Sequence, residues 1–384
     1  MNKLLIEKIT DCFKATFKTQ PLLIFSPGRI NLIGEHTDYN NGFVFPAAIH
    51  KGIYVAIEKS ETHVSTAIAL DVKSKFEFTT NFLKRFKKGS WKNYLLGVVS
   101  EIKKKGKSIS NFNLVFAGDI PNGAGLSSSA ALENAIVYGL NELFQLGFTK
   151  EEMIFISQKA EHNFVGVQCG IMDQYASMFG EENTAILLDC KELKTKHYKI
   201  DFKEYDLLLI NTNVKHSLAD SAYNERRSVC KKVATFLKVD SLRETTLENI
   251  NSIKNQISED EYQKATFILQ ENERVLKASD AIENNDLKSL GSLMYQSHDG
   301  LQKQYKVSCV ELDFLIELAL ENKAVLGARM MGGGFGGCTI NLIKKEEIAI
   351  FTNTVKQQFN AKFNSNCSFY NIQLSNGTQQ LKTS

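Results

Sequence analysis

The order of apolar and polar positions along the first half of the chain predicts a mixture of strands and helices. The first 18 residues carry apolar side chains at helical spacing, with Glu7 and Asp11 between them, and predict an amphipathic helix. Thr149 and Glu152 have the spacing of a capping box and predict a helix start. The same reasoning predicts strands over 22–25, 43–49, 52–59 and 111–118, and helices over 91–104, 128–145 and from 150 to near 166.

The second half is predicted to begin with a buried strand over 205–213, followed by helices through 221–322. Residues 327–343 predict a glycine-rich loop that leads into a strand. Because strands and helices do not alternate regularly, the pattern favours an α+β fold over a doubly wound sheet. The length of 384 residues allows two domains, and we expect them to span residues 1–200 and 201–384.

Composition narrows the function mainly by exclusion. The 46 Lys and Arg residues nearly balance the 43 Asp and Glu residues, giving a net charge of +3. We therefore expect no nucleic-acid or membrane partner. The seven cysteines are scattered without a C-x-x-C pair, and the N-terminus does not resemble an export signal. These features predict reduced thiols and a cytoplasmic protein.

The stretch PNGAGLSSSAAL, residues 121–132, predicts an anion site at a helix start. Gly123 and Gly125 stand just before three consecutive serines, at the point where the helix over 128–145 begins. The N–H groups of a first helical turn lack partners and carry the positive end of the helix dipole. A phosphate group fits such a position. The alternative is that the serines only cap the helix.

Two further glycine motifs fail as nucleotide fingerprints. Residues 106–108 end like a Walker A loop, but Glu101 stands where its first glycine would be. Residues 332–337 satisfy G-x-G-x-x-G, but a strand follows them instead of a helix. Because five of these six residues are glycines, we expect the backbone here to approach a ligand or a neighbouring loop closely.

A polar cluster over residues 26–42, SPGRINLIGEHTDYNNG, suits a ligand covered with hydroxyl groups. Carboxylates accept hydrogen bonds from hydroxyls, and a guanidinium donates them. A polar turn with a local Arg–Asp pair is the alternative. The cluster contains Arg29, Glu35, His36, Asp38 and Asn40.

Two carboxylates farther along the chain have ordinary structural interpretations when taken alone. Glu161 is predicted on the last turn of a helix, where a solvated side chain is usual. Asp173 follows Gly166 and Gly170 and is predicted to be the N-cap of the next helix.

Together these motifs closely resemble the GHMP small-molecule kinases and, within them, the galactokinases. The resemblance covers nearly the whole chain, with the segments in the same order. The matching segments are residues 27–42, 123–133, 169–174 (CGIMDQ), 211–227 (NTNVKHSLADSAYNERR), 297–313 (SHDGLQKQYKVSCVELD) and 327–338 (GARMMGGGFGGC).

The resemblance implies a two-domain α+β fold with the active site in the interdomain cleft. It implies transfer of the ATP γ-phosphate to the anomeric hydroxyl of α-D-galactose, the first committed step of galactose breakdown. Asp173 would be the proton acceptor, and Arg29 beside it would keep the carboxylate ionised. A kinase for N-acetylgalactosamine or arabinose, or a sensor without catalysis, stays open as an alternative.

The resemblance also implies the ligands of each substrate. The expected partners are the sugar and ATP with Mg²⁺, bound by a monomer. The implied sugar-binding residues are Glu35, His36, Asp38, Gly170 and Tyr223, and the implied magnesium ligands are Ser129 and Glu161. The implied ATP-binding residues are Trp91, Tyr94, Gly123, Ala124, Gly125, Leu126, Ser127, Ser128 and Ser129, with Trp91 and Tyr94 at the adenine.

Overall fold

The computed structural model describes residues 1–121, 123–215 and 219–382, so residues 216–218 of the fourth matching segment lie outside it. The strands are β1 (Leu22–Asn31), β2 (Phe43–Val44), β3 (Pro46–Lys59), β4 (Ser65–Ala69), β5 (Ser74–Phe78), β6 (Phe112–Gly118), β7 (Thr184–Asp189), β8 (Lys194–Lys199), β9 (Tyr205–Lys215), β10 (Val325–Met330), β11 (Gly336–Lys344), β12 (Ser368–Ile372) and β13 (Gln379–Gln380). The α-helices are α1 (Lys3–Phe17), α2 (Lys92–Lys104), α3 (Ser128–Phe144), α4 (Lys150–Ala160), α5 (Met172–Phe179), α6 (Ala219–Phe236), α7 (Leu247–Ser252), α8 (Glu259–Glu283), α9 (Leu287–Lys303), α10 (Val310–Glu321) and α11 (Ile348–Phe363). A π-helical turn (Glu161–Val165) continues α4.

The first half is built on a six-stranded sheet with the order β13-β1-β3-β6-β4-β5. Its strand pairs are antiparallel except for β4 with β6. Helix α3 packs on β1 and β3, and together with α2, α4 and α5 it encloses the largest apolar core. Helix α1 covers strands β3 and β6 with Ile9 and Phe13, which join the core around Phe25, Tyr54 and Val115.

The second half contains an antiparallel sheet with the order β10-β11-β9-β12. Helices α9 and α10 pack on β10. Helix α11 contributes Phe351, Val355 and Phe359 to the core formed with α10. A smaller sheet, β2-β7-β8, lies beside β3. None of the helices in the described part of the chain combines the length and apolar character that a membrane span requires.

The C-terminal end of the chain returns to the first half. Strand β13 pairs with β1, and Leu374 forms a bridge with Ile49. The hydroxyl of Thr378 lies 2.9 Å from that of Ser26. A division at residue 200 therefore does not follow the sheets, because the last residues belong structurally with the N-terminal sheet.

The main predicted helices and strands are confirmed, including the capping box of α4. The predicted strand over 22–25 is too short, because β1 continues to Asn31 through an irregularity between Pro27 and Arg29. The predictions over 43–49 and 52–59 also divided one strand, since β3 runs unbroken from Pro46 to Lys59. Arg29 therefore projects from a strand and not from a loop.

Candidate functional site

A cavity of about 520 Å³ lies between the two halves of the chain. It is lined by β1, by the loop around His36, by the start of α3, by the segment from Glu161 to Asp173 and by the glycine-rich loop after β10. The sequence-predicted residues that it brings together are Arg29, Glu35, His36, Asp38, Gly123, Ala124, Gly125, Leu126, Ser127, Ser128, Ser129, Glu161, Asp173 and Tyr223.

The loop before α3 has the left-handed backbone that its glycines allow. Gly123 and Gly125 have φ angles of 70° and 69°, and Ser127, the residue before the helix, has φ 57°. The Ser127 side chain makes no capping bond to α3. Instead, its hydroxyl donates to Asp173 Oδ2 at 2.6 Å. The alternative that this serine only caps the helix is therefore wrong.

Asp173 is held by both the loop and β1. Arg29 Nε donates to Asp173 Oδ1 at 2.8 Å, while its Nη1 donates to the Gly125 carbonyl at 2.5 Å. Burial opposes the charged form of Arg29, but the neighbouring Asp173 carboxylate raises the pKa of Arg29 above its ordinary value. The predicted N-cap role of Asp173 is wrong, because Ile171 is the N-cap of α5.

Glu35 is fixed by a buried ion pair that the sequence did not indicate. Its Oε1 accepts from Arg329 Nη2 at 2.9 Å and from the Gly332 N–H at 2.9 Å. Arg329 is 0% exposed and also donates to the carbonyls of Asn31 and Leu32. The only signal for this residue was a cation in an otherwise apolar stretch leading to the glycines.

His36 and Asp38, which the sequence predicts to bind the sugar, both line the cavity. His36 has φ 65°, which is unusual for a residue other than glycine. Burial, followed by the charge of Asp173, raises the pKa of Asp38 to about 7. Gly170 does not line the cavity, but a Cβ added there would lie 1.9 Å from Asp38 Oδ2. Gly170 therefore provides the space that Asp38 needs.

Glu161 and Ser129 form the part of the site that fits a divalent cation. Glu161 is buried, and its Oε2 accepts from the Cys169 thiol at 2.9 Å and from Gln174 Nε2 at 3.2 Å. Burial raises the pKa of Glu161, whereas hydrogen bonds from Cys169 and Ser129 oppose the increase. Hydroxyl and carboxylate oxygens are hard ligands that suit Mg²⁺. Cys169 and Gln174 had not been singled out from the sequence.

Two predicted ATP-binding residues lie outside the cavity lining. Trp91 packs in an aromatic group, with ring centroids 5.2 Å from Phe116 and 6.4 Å from Phe76. Tyr94 packs against the same apolar core. Neither is among the described residues that line the cavity. Their contact with adenine stays a prediction.

The glycine-rich loop after β10 lies against the loop before α3. A Cβ added to Gly332 would be 3.5 Å from the Gly125 carbonyl, and one added to Gly337 would be 3.5 Å from the Gly123 carbonyl. A Cβ added to Gly334 would lie only 2.1 Å from the Val307 carbonyl. The expectation of a close backbone approach to a neighbouring loop is confirmed.

Family models match three parts of the chain. The GHMP kinases N terminal domain matches residues 93–181, and the GHMP kinases C terminal model matches residues 278–361. The galactokinase galactose-binding signature matches residues 11–59, which include the polar cluster.

Sequence relatives and similar solved structures agree with the matches to the family models. The chain is 41% identical to a galactokinase from Clostridium acetobutylicum over 98% of both chains. It is 38% identical to a galactokinase from Thermotoga maritima, covering 93% of this chain and 99% of that one. The structure of Lactococcus lactis galactokinase complexed with galactose superposes with a TM-score of 0.93 at 35% identity, covering 98% of this chain and 100% of that chain. Mevalonate kinase from Methanococcus jannaschii shares the fold, with a TM-score of 0.69 at 16% identity, covering 94% of this chain and 100% of that one.

Proposed function

Because the chain belongs to the GHMP kinases and, within them, to the galactokinases, we propose that it transfers the γ-phosphoryl group of ATP to the anomeric hydroxyl of α-D-galactose. The product is galactose 1-phosphate, and the reaction is the first committed step of galactose breakdown. One observation carries the proposal. Asp173, the proposed proton acceptor, contacts Arg29 at 2.8 Å and Ser127 at 2.6 Å. Ser127 belongs to the loop before α3, residues 123–129, which is the proposed phosphate loop, so the acceptor is joined directly to it.

Asp173 performs the proton transfer in this proposal. As the anomeric oxygen bonds to the γ-phosphorus, the hydroxyl O–H bond breaks and its proton passes to the Asp173 carboxylate, while ADP leaves. Arg29 holds the carboxylate in place through its 2.8 Å contact with Oδ1. Phosphoryl transfer depends mainly on positioning and on stabilising charge. The N–H groups at the start of α3 would hold the phosphates for this purpose.

Ser129 and Glu161 would hold the Mg²⁺ ion that accompanies ATP. Their oxygens line the same cavity as the phosphate loop. A bound Mg²⁺ neutralises charge on the β- and γ-phosphates. The remaining oxygen ligands would come from ATP and water, because Mg²⁺ prefers six oxygens. Cys169 and Gln174 orient the Glu161 carboxylate through Oε2.

The sugar side of the cavity favours a neutral, hydroxyl-rich substrate. Glu35 and Asp38 accept hydrogen bonds from hydroxyl groups and would repel an acidic ligand. His36 and Tyr223 supply ring surface beside them, with centroids 5.5 Å apart. These features fit galactose. Gly170 has no side chain that would collide with the Asp38 carboxylate.

The sequence also supports expectations about the compartment, the oligomeric state and the partners of the protein. We expect a cytoplasmic monomer whose ligands are the sugar and ATP, without a nucleic-acid or membrane partner. All seven cysteines are free thiols, which supports a reducing compartment.

The test is a coupled assay of ADP release with galactose, N-acetylgalactosamine, arabinose and glucose. Galactose should give the highest kcat/KM. Asp173→Asn keeps the shape of the side chain but removes the proton acceptor, so kcat should fall by at least about a hundredfold. ATP should still bind, and galactose affinity should change far less than kcat, because asparagine can still hydrogen-bond a hydroxyl.

The matched control is Asp11→Asn, which makes the same chemical change on the exposed face of α1. Its kcat should equal that of the unaltered protein. Near-normal turnover by Asp173→Asn would contradict the assigned role of Asp173. A purified protein that binds ATP and galactose without turnover would support the sensor alternative instead.

A further inference from the structure

A chain of buried and partly buried hydrogen bonds leads from the second half of the protein to His36. The Cys230 sulfur lies 3.3 Å from the Tyr305 hydroxyl, which lies 2.8 Å from the Tyr39 hydroxyl. The Tyr39 hydroxyl is in turn 2.8 Å from His36 Nδ1. The ring of His36 lines the cavity, and its Nε2 is buried without a hydrogen-bond partner among the described residues. The hydrogen-bonded chain therefore ends at a ring nitrogen that lines the cavity and makes no well-formed hydrogen bond with the described residues.

The chemistry of the groups sets the direction of the hydrogen bonds. A phenol is a better donor than a neutral imidazole N–H, and an imidazole nitrogen is a better acceptor than a phenol oxygen. Tyr39 should therefore donate to His36 Nδ1. A thiol is a weak acceptor, so Tyr305 donates to the Tyr39 oxygen more favourably than to Cys230. Asn40 also hydrogen-bonds the Cys230 thiol. If Tyr305 donates to Tyr39, the Cys230 S–H is the donor that remains for the 3.3 Å contact with Tyr305.

The charges around His36 keep its ring neutral. Burial, together with the cationic Arg226 and Arg329, lowers the pKa of His36 to about 3. A backbone contact with the Gly333 carbonyl acts in the opposite direction, so a sugar oxygen would replace this weak contact as the acceptor of the ring N–H. In a neutral imidazole one nitrogen accepts and the other donates. If Nδ1 accepts from Tyr39, the proton must be on Nε2.

We propose that Tyr39 and Tyr305 are positioning residues, which through their hydroxyl relay fix His36 as a hydrogen-bond donor from Nε2 to an oxygen of the sugar. This inference deepens the proposed function and rests on it for the identity of the ligand. The left-handed backbone of His36 and the hydrogen bond from Asn40 Nδ2 to its carbonyl hold the ring in place. The relay fixes which of its nitrogens carries the proton.

The first experiment determines the tautomer in the protein without ligands. The chain contains seven histidines, so ¹⁵N-histidine NMR can resolve them, and the His36→Gln variant identifies the signals of His36. We expect a protonated Nε2 and an unprotonated Nδ1. In Tyr39→Phe the Nδ1 acceptor loses its donor, and we expect a mixture of the two tautomers. A protonated Nδ1 in the unaltered protein, or an unchanged tautomer in Tyr39→Phe, would overturn the proposal.

The second experiment measures kinetics. Because a hydrogen bond to a non-reacting sugar oxygen acts equally before and in the transition state, its loss raises KM without lowering kcat. Tyr39→Phe should raise the KM for galactose about 3- to 10-fold, which corresponds to a donor tautomer reduced to about a third to a tenth of the population. The kcat and the KM for ATP should stay within about twofold. A fall in kcat with an unchanged KM for galactose would contradict the relay.

Two further variants separate the relay from a general loss of packing. Tyr295→Phe is the control. Like Tyr39→Phe it removes a tyrosine hydroxyl, but this hydroxyl lies on α9 away from the cavity and is buried without a hydrogen-bond partner among the described residues. It should change neither the tautomer nor the KM. Tyr305→Phe should shift the Nδ1 signal of His36 in the same direction as Tyr39→Phe, and no shift would count against the relay. It also tests the relay if Tyr39→Phe does not fold.

The two proposals can fail separately. The NMR measurement needs no substrate, so it decides the relay even if galactose is not phosphorylated. An unaltered protein without turnover of galactose would refute the proposed function and leave the tautomer result in force.

Discussion

Breaking the ion pair between Arg329 and Glu35 should strongly destabilise the protein, because both side chains are buried. The exposed fractions of the two side chains are 0% and 2%, and their nearest atoms are 2.9 Å apart. Removing one partner of such a pair leaves an unpaired charge in the interior, which costs about 3–5 kcal/mol. Arg329→Met should therefore lower the free energy of unfolding by about this amount. Its guanidinium bonds to the carbonyls of Asn31 and Leu32 would be lost as well.

Removing Glu35 should cost a similar free energy of unfolding, and the two losses should be coupled. Glu35→Gln leaves the permanently charged, buried Arg329 without its counter-ion, so we expect a loss of about 3–5 kcal/mol even though its backbone carbonyl acceptors remain. The double variant has no unpaired carboxylate. Its loss should be about 2–3 kcal/mol less than the sum of the single losses, as expected for residues in direct contact.

Equilibrium unfolding in urea, followed by far-ultraviolet circular dichroism, measures these free energies. The matched control is Lys196→Met, which breaks the pair with Glu283 at 2.8 Å, where both side chains are more than half exposed. That loss should be within about 1 kcal/mol. Additive losses in the Arg329 and Glu35 cycle, or an Arg329→Met loss no larger than that of the control, would refute the reasoning.

Two further predictions concern the sugar side of the site. Gly170→Ala places a methyl group where Asp38 Oδ2 lies, so the KM for galactose should rise about 10- to 100-fold, as for one lost hydrogen bond to a charged group. The KM for ATP should stay unchanged, and equal effects on both substrates in the kinase assay would contradict this explanation. Because the pKa of Asp38 is raised to about 7, the folded protein binds a proton more tightly than the unfolded chain does. The free energy of unfolding without ligands should therefore fall as the pH rises from about 4 to 7, and the fall should be smaller in Asp38→Asn when urea unfolding is repeated across this range.

The sequence predicted best those features that depend on neighbouring residues. The glycine-rich turn before α3 is one example, since Gly123, Gly125 and Ser127 supply its left-handed backbone within five residues. The capping box of α4 is another, because Thr149 and Glu152 bond to each other's backbone. Such local chemistry is visible as spacing along the chain.

The sequence did not predict the contacts between distant residues. Arg329 and Glu35 are 294 positions apart, and Tyr39 and Tyr305 are 266 positions apart. The prediction that Asp173 caps its helix was wrong for the same reason. Its partner Arg29 lies 144 positions earlier in the chain. The N-cap preference of aspartate considers only neighbouring residues, so it could not predict this contact.

The two buried arginines connect stability to catalysis, because each joins a strand to a different loop of the site. Arg29, on β1, binds Asp173 and the carbonyl of Gly125 in the phosphate loop. Arg329, on β10, binds Glu35 in the polar cluster that follows β1. Gly332 donates to the same Glu35 oxygen, and its backbone lies against Gly125. Arg29 therefore positions the proposed proton acceptor and the loop before α3 within the first half, whereas Glu35 of the polar cluster is positioned by Arg329 and Gly332 of the second half.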